Sequence, residues 1–206
     1  MGRNTLCSLA LLLFALLVAL PALAYEYPLS TTAIRDAYFL GTGPKSAEAD
    51  FYEPYSRTFS TLPKEAPTSV ITIDTPYLQI AEHARQTPNY HAQDAVKDFF
   101  GKPAQFRVFL DVYFTRPLEK SDNSENKTLH GLDIKLTQNH KVIVMQVVDS
   151  WDLYPFRDAQ TSVESAGEHV ELSCDAGSVD SSPLKIEVKT PNAQIFEVKF
   201  DLENLR

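Results

Sequence analysis

The residues in this sequence that are best suited to chemistry lie in one short stretch, residues 149–156. It combines two carboxylates with the chain's single tryptophan and a tyrosine, and the candidate ligand-binding residues are Asp149, Trp151, Asp152 and Tyr154. Aromatic rings beside carboxylates suit a sugar, because a ring face can stack on it while the acids accept hydrogen bonds from hydroxyl groups. A competing interpretation is that these aromatic residues fill one end of the core, as large aromatics commonly do.

The same stretch holds the nearest candidates for the acid pair of a glycoside hydrolase, Asp149 and Asp152. Such enzymes need a set distance between two carboxyl groups, which a sequence cannot supply. Sequence frames of other enzyme classes are absent: there is no G-x-S-x-G, H-E-x-x-H, C-x-x-C or phosphate-binding glycine loop. We therefore predict no catalytic residues, while a site assembled from scattered carboxylates stays open because it leaves no such trace.

No pattern in the sequence predicts a metal ion or another cofactor. His83 and His91 lie near each other, with Asp94 following, but residues on two successive helices have no fixed geometry for a metal. Residues 122–133 place oxygen donors at alternate positions, like a calcium loop, yet Lys127 stands where that loop needs glycine. Both sets are interpreted as ordinary polar positions.

The first 24 residues have the three-part pattern of a cleavable signal peptide. Arg3 gives a positive start, residues 9–20 form an unbroken apolar run, and small residues precede the expected cut between Ala24 and Tyr25. The competing interpretation is an uncleaved membrane anchor, for which the uncharged run is long enough. We expect cleavage, a secreted or periplasmic location and no membrane insertion of the mature chain, because no second run of spanning length follows.

Length, charge and cysteine content narrow the class of protein. Removing 24 of 206 residues leaves 182, which fits one domain with a core of its own. The removed part holds one of 19 basic residues and none of the 27 acidic ones, so the mature net charge is −9. This acidity argues against a nucleic-acid partner and against docking on anionic lipid. The lone mature cysteine, Cys174, is predicted to be buried and inert.

The predicted secondary structure is mostly helical before residue 104 and consists of strands after it. A short helix is predicted to end at Gly41, and two more over residues 76–87 and 91–100. From Ala104 onward apolar residues recur with a period of two, which is typical of half-buried antiparallel strands. The predicted strands are residues 70–74, 104–114, 132–137, 142–148, 170–174, 184–189 and 196–202.

The order of these elements predicts an α+β, mainly β fold: an antiparallel sheet or sandwich of about seven strands, with two or three short helices packed on one side. We expect a signal peptide at residues 1–24, an N-terminal helix and irregular segment at 25–68 packed on the body, and a single mainly β domain at 69–206.

Two details of the predicted sheet bear on the candidate site. Phe109 and Tyr113 point outward from the first long strand and need a cover, for which the helices at residues 76–100 are the candidates. Residues 142–148 are apolar on both faces and are predicted to form a buried strand, after which a long irregular link carries Trp151.

Three stretches, residues 33–41, 75–77 and 200–206, resemble a group of exported bacterial proteins of unknown function. The resemblance implies a bacterial source of the Gram-negative type and an envelope location. It implies no activity and no catalytic residue.

Together these features predict an exported protein of the periplasm or envelope with a non-enzymatic structural or binding role, whose partner is an envelope protein or a glycan. A carbohydrate- or small-molecule-binding module that uses the Trp151 loop is the first alternative. A hydrolase with a dispersed carboxylate site is the second.

Overall fold

The structure is a computed structural model that describes residues 25–44, 51–60, 67–115, 131–157 and 164–206. Within these residues it has three α-helices and nine strands in two antiparallel sheets, which confirms the predicted α+β, mainly β class. The helices are α1 (Thr31–Gly41), α2 (Pro76–Gln86) and α3 (Ala92–Gly101). The strands are β1 (Ser56–Phe59), β2 (Ser69–Asp74), β3 (Gln105–Thr115), β4 (Asp133–Gln138), β5 (Lys141–Ile143), β6 (Gln146–Arg157), β7 (Glu164–Asp175), β8 (Leu184–Lys189) and β9 (Ile195–Phe200). In the same ranges, no helix is long and apolar enough to cross a membrane.

The two sheets pack on each other around one apolar core. The first sheet has the strand order β1-β2-β3-β7-β6, and the second has the order β5-β4-β8-β9. Alternate residues of β3 and β8 point into the core and are almost wholly buried, as their period of two predicts. These residues are Phe106, Val108, Leu110, Val112, Phe114, Leu184, Ile186 and Val188.

The segment of residues 142–148 is the main departure from the prediction. Instead of forming one buried strand, the chain leaves the second sheet after Ile143 and enters the first at Gln146. Among the described strands, β5 and β6 are each the outermost strand of their sheet. Val144, in the link, is 81% exposed. The prediction of a buried strand was wrong because a run that is apolar on both faces does not reveal whether a neighbouring strand covers it.

The three helices begin where the sequence predicts them to begin. Ser30 caps α1 by accepting a hydrogen bond from the Ala33 N–H at 3.2 Å, and Thr75 caps α2 in the same way. His91 and Asp94 form a reciprocal capping box at the start of α3. The helices pack on one another around a second apolar cluster, whose buried members are Leu29, Ile34, Ala37, Tyr77, Ile80 and Ala95.

We expected the helices to cover Phe109 and Tyr113. The apolar cluster that the helices form includes neither residue. The Arg107 guanidinium lies 5.5 Å from the centre of the Phe109 ring, and the His169 ring lies on the same sheet face at 6.4 Å. Tyr113 lies close over Gly167, where an added Cβ would come within 2.7 Å of the tyrosine ring. Phe109 is therefore flanked by side chains of the sheet itself, and Tyr113 packs on the backbone at Gly167.

The first described residue, Tyr25, is built into the core. Its backbone N–H donates to the Leu202 carbonyl at 2.9 Å, and its hydroxyl donates to the Ala176 carbonyl at 2.8 Å. Its ring meets Phe106 edge-on at 5.9 Å. These contacts anchor Tyr25 to the core of the sandwich.

Arg206 joins the helical cluster to the sandwich. Its carbonyl oxygen accepts hydrogen bonds from the hydroxyls of Tyr55 at 3.0 Å and Thr75 at 2.8 Å. Its guanidinium lies over the Tyr77 ring, donates to the Tyr77 hydroxyl, and is 3.8 Å from the Asp36 carboxylate on α1. One residue thus links α1, the start of α2 and the segment before β1.

Gly41 ends α1 at a point where the backbones of two helices touch. A Cβ at this position would lie 1.9 Å from the carbonyl oxygen of Ala81 on α2. Only glycine fits that gap, because the obstructing atom belongs to the backbone and cannot rotate away.

We predict that Gly41→Ala lowers the free energy of unfolding by about 1–3 kcal/mol or more, since α1 must move away from α2 to admit the methyl group. Gly101→Ala is the matched control, because nothing lies within 4 Å of the Cβ it would add at the end of α3. Urea denaturation of both variants measures the difference, and equal stabilities would contradict the close packing at Gly41.

Candidate functional site

The predicted ligand-binding residues Asp149, Trp151, Asp152 and Tyr154 all lie on β6. The expectation that they belong to a long irregular link was wrong: β6 continues to Arg157, and β7 starts at Glu164 rather than near residue 170. Shifts of register in β6, between Val147 and Asp149 and between Leu153 and Phe156, interrupt its regular pairing with β7. These irregularities obscure the strand's period in the sequence.

Strand register separates the two candidate acids. Asp149 pairs with Glu171 and Trp151 with His169, so both side chains belong to the outer face of the first sheet. Asp152 pairs with Glu168, which lies on the core side. Because neighbouring strand residues alternate between faces, the two carboxylates point to opposite sides of β6. The side chain of Tyr154 lies outside the part of the molecule that the structure describes.

Trp151 forms the centre of the candidate site. Its ring stacks on the imidazole of His169, with 3.7 Å between ring centres and 16° between ring planes. The tryptophan is nevertheless 49% exposed. One face of the indole is therefore held by the protein, and the residue still presents a large aromatic surface to solvent. A half-exposed ring on a rigid strand is a suitable stacking platform.

Asp111 holds His169 in place. Its carboxylate oxygen Oδ1 lies 2.5 Å from His169 Nδ1, and the two residues face each other across the β3–β7 pair. A neutral ring that donates from Nδ1 carries its lone pair at Nε2. The aspartate thus fixes both the orientation of the imidazole and the position of the indole stacked on it.

Neither Asp111 nor His169 was identified as a site residue from the sequence. They are 58 positions apart, and only the register of two paired strands brings them together. The signal available in the sequence is weak: an aspartate on the outward face of one predicted strand, and a histidine just before another.

Arg107 carries the only positive charge among the ionic contacts that the described residues show on this outer face. Its guanidinium pairs with Asp74 Oδ2 at 2.5 Å and lies 3.7 Å from Glu171. Asp111 and Asp149 belong to the same sheet face, so carboxylates outnumber the cation there. The face therefore disfavours anionic ligands.

Asp74 is a buried carboxylate whose hydrogen bonding is incomplete. It is only 3% exposed, and its second carboxylate oxygen, Oδ1, has no hydrogen-bond partner. Burial raises its pKa to about 7, and the charges of Glu82 and Glu171 add to the rise, while Arg107 opposes it. The pKa of Asp74 rises because its oxygen Oδ1 is buried without a partner and because Arg107 divides its charge between Asp74 and Glu171.

The structure describes no metal-ligating cluster in the ranges it covers. The His83 ring centre lies 4.7 Å from the Tyr90 ring centre, and His91 caps α3. The calcium-like segment falls mostly in residues 116–130, outside the described residues.

Cys174 is half-buried against the core rather than fully buried. Burial raises the pKa of its thiol to about 11, so the thiol stays protonated near neutral pH.

No protein-family model, curated protein sequence or solved structure matches this chain. Function has to be inferred from the geometry and chemistry of the residues themselves.

The raised pKa of Asp74 predicts a pH-dependent stability. Because its pKa rises from 3.8 to about 7 on folding, the carboxyl group stabilises the fold fully below about pH 4, and this contribution is lost as the pH rises through 7. Between these limits the free energy of unfolding should fall by up to about 1.4 kcal/mol per pH unit.

Asp74→Asn should remove this dependence, because the amide does not ionise. Unfolding in urea at a series of pH values between 4 and 8 measures the slope for each protein. Asp133→Asn, which removes an exposed carboxylate on β4, is the control and should leave the slope unchanged. A wild-type slope that persists in Asp74→Asn would show that another group causes it.

Proposed function

We propose that this chain is an exported, non-enzymatic binding protein of a bacterial envelope, and that the outer face of its first sheet binds a sugar ring through Trp151. The observation that carries the proposal is the half-exposed indole stacked on His169. A free aromatic surface of this kind is suited to the apolar face of a pyranose.

The polar groups around Trp151 fit a ligand with hydroxyl groups. Asp111 is nearly half-exposed while it binds His169, and Asp149 is exposed on the same face. Carboxylates accept hydrogen bonds, so they suit hydroxyl or amino groups. Their negative charge favours a neutral or amino sugar over a sulfated or uronic acid sugar.

A binding role is favoured over hydrolysis by the arrangement of β6. The carboxylates Asp149 and Asp152, which the sequence offered as an acid pair, belong to opposite faces of one strand. Two acids that face away from each other cannot flank one glycosidic bond. Turnover of a glycoside by the purified protein would overturn this part of the proposal.

Export is inferred from the pattern of residues 1–24, and the anchoring of Tyr25 is compatible with a cut after Ala24. A cut after Ala24 would leave the hydrogen bond to Leu202 available, because the new α-amino group is still a donor. The whole described body would be retained.

We predict that the protein recovered from the envelope fraction of a bacterial host begins at Tyr25. Intact-mass measurement and N-terminal sequencing would test this. An Ala24→Arg variant should accumulate with its first 24 residues attached, because small residues are required at the cut. A wild-type protein that keeps residues 1–24 would instead favour a membrane anchor.

Ligand binding can be measured with the protein's own fluorescence, because Trp151 is its single tryptophan. We expect neutral and amino-sugar oligosaccharides to change the emission saturably, and sulfated ones to bind more weakly. Trp151→Ala, followed by calorimetry, should weaken binding at least tenfold. Trp151→Phe should retain part of it, since a stacking ring remains.

Phe39→Ala is the control, because it removes an aromatic residue on α1 that is more exposed than Trp151 and lies outside the first sheet. It should bind as the wild type does. If no oligosaccharide changes the fluorescence of Trp151 or releases heat, the sugar ligand is wrong.

A further inference from the structure

We infer that the ligand of the Trp151 face is an amino sugar, and that Asp149 selects it by binding its positively charged amino group. The inference rests on the proposed sugar-binding function, which it narrows from sugars in general to those that carry a free amine. The positions of the carboxylates around the indole carry it, together with the contacts of the cation beside them.

Asp149 and Trp151 lie two residues apart on β6. Their partners on β7, Glu171 and His169, are also two residues apart, so the pairing is regular between the two positions. Side chains two residues apart on a strand point to the same face and are separated by about 7 Å along the strand. A sugar that stacks on the indole would thus present the substituents at its rim to the Asp149 carboxylate.

Asp149 has acceptor sites left for a ligand. Its oxygen Oδ1 accepts a hydrogen bond from the Ser150 N–H at 2.9 Å, and the residue is exposed. A carboxylate offers about four acceptor sites on its two oxygens, so this contact leaves most of them open. Within the described residues, no lysine or arginine forms an ion pair with Asp149. The charge of Asp149 is therefore available to a cation from outside this part of the chain.

The charges on both sides of the Trp151–His169 stack are negative. The Asp111 side chain is 45% exposed although it binds His169. Arg107, on the same face, is already shared between Asp74 and Glu171. When the imidazole is neutral, Asp111 and Asp149 therefore give this region a negative charge that no cation in the described ranges balances. Such a field attracts positively charged ligands.

The indole itself adds to this preference. The face of an aromatic ring is negative, and tryptophan attracts ammonium groups more strongly than the other aromatic residues do. His169 occupies one face of the ring, and 49% of the tryptophan stays exposed. The hydroxyl of a neutral sugar can also donate to Asp149, but an ammonium group adds the attraction between opposite charges. The site thus favours a ring that carries an amine over the same ring without one.

A matched series of ligands tests the inference: the β-1,4-linked trimers of glucose, N-acetylglucosamine and glucosamine, which differ only in the substituent at carbon 2. Binding is measured by Trp151 fluorescence and calorimetry at low salt and at about pH 6, where a free amine is protonated. We expect the glucosamine trimer to bind about fivefold tighter than the other two. High salt should reduce this difference, because it screens an exposed ion pair.

Asp149→Asn is the decisive variant, since its amide oxygen can still accept from the Ser150 N–H while the charge is removed. It should bind the glucosamine trimer no tighter than the glucose trimer, and its affinity for the glucose trimer should stay within about twofold of the wild type. Asp133→Asn is the matched control, because it removes the same charge from an exposed position on the second sheet. It should keep the wild-type preference, which separates a contact at Asp149 from an effect of net charge.

Equal binding of the three trimers by the wild type would overturn the inference and leave sugar binding intact. A preference for the glucosamine trimer that persists in Asp149→Asn would also overturn it. Ethanolamine, which has an ammonium group but no sugar ring, should not compete at the same concentration, and competition as strong as that of the glucosamine trimer would contradict recognition of an amino sugar. If none of the trimers binds, the proposed sugar-binding function itself fails.

Discussion

The pairing of β3 with β7 is the constraint on which the remaining structure depends. Eleven residue pairs join these strands, from Gln105 with Asp175 to Thr115 with Ser165. The inward residues of β3 are almost completely buried. A slip of one residue would turn that apolar set outward and bury Arg107 and Asp111 in its place. The register that forms the core is therefore also the one that places Asp111 opposite His169.

The buried acid Asp74 shows how the outer face of this sheet is organised. Leaving a carboxylate oxygen buried without a partner costs on the order of 1–3 kcal/mol. The cost is tolerated where Asp74 holds Arg107 across the β2–β3 pair, and Arg107 in turn lies over Phe109. An aromatic ring on an otherwise open sheet face is thus shielded by a guanidinium, whose alkyl stem and flat head can cover it. Asp74 thus holds the Arg107 guanidinium over Phe109 but lowers the stability of the fold through its unsatisfied oxygen.

Much of the fold follows from local signals in the sequence. The strict alternation of β3 and β8 predicts their half-buried character, and the cap at Thr75 followed by Pro76 predicts the start of α2. These features depend on residues within a few positions of each other. The fold class is therefore accessible from the sequence alone.

The candidate site is less accessible, because it depends on which strands become neighbours. Trp151 was identified by its residue type, but its contact with His169 and the contact of His169 with Asp111 require the order β3-β7-β6. The same ignorance of strand order led to the error at residues 142–148. An apolar run fits the middle of a sheet and an uncovered edge equally well, and only the sheet order shows that β5 and β6 are edges.

The anchoring of Tyr25 has a consequence for the order in which the chain acquires its structure. Its two hydrogen-bond partners, Ala176 and Leu202, lie more than 150 positions later in the sequence. A polypeptide is synthesised from its amino end, so Tyr25 is made long before the two residues that hold it. Contacts between distant positions form slowly, because a long loop must close first. The hydrogen bond between the Tyr25 N–H and the Leu202 carbonyl can therefore form only after residue 202 has been synthesised.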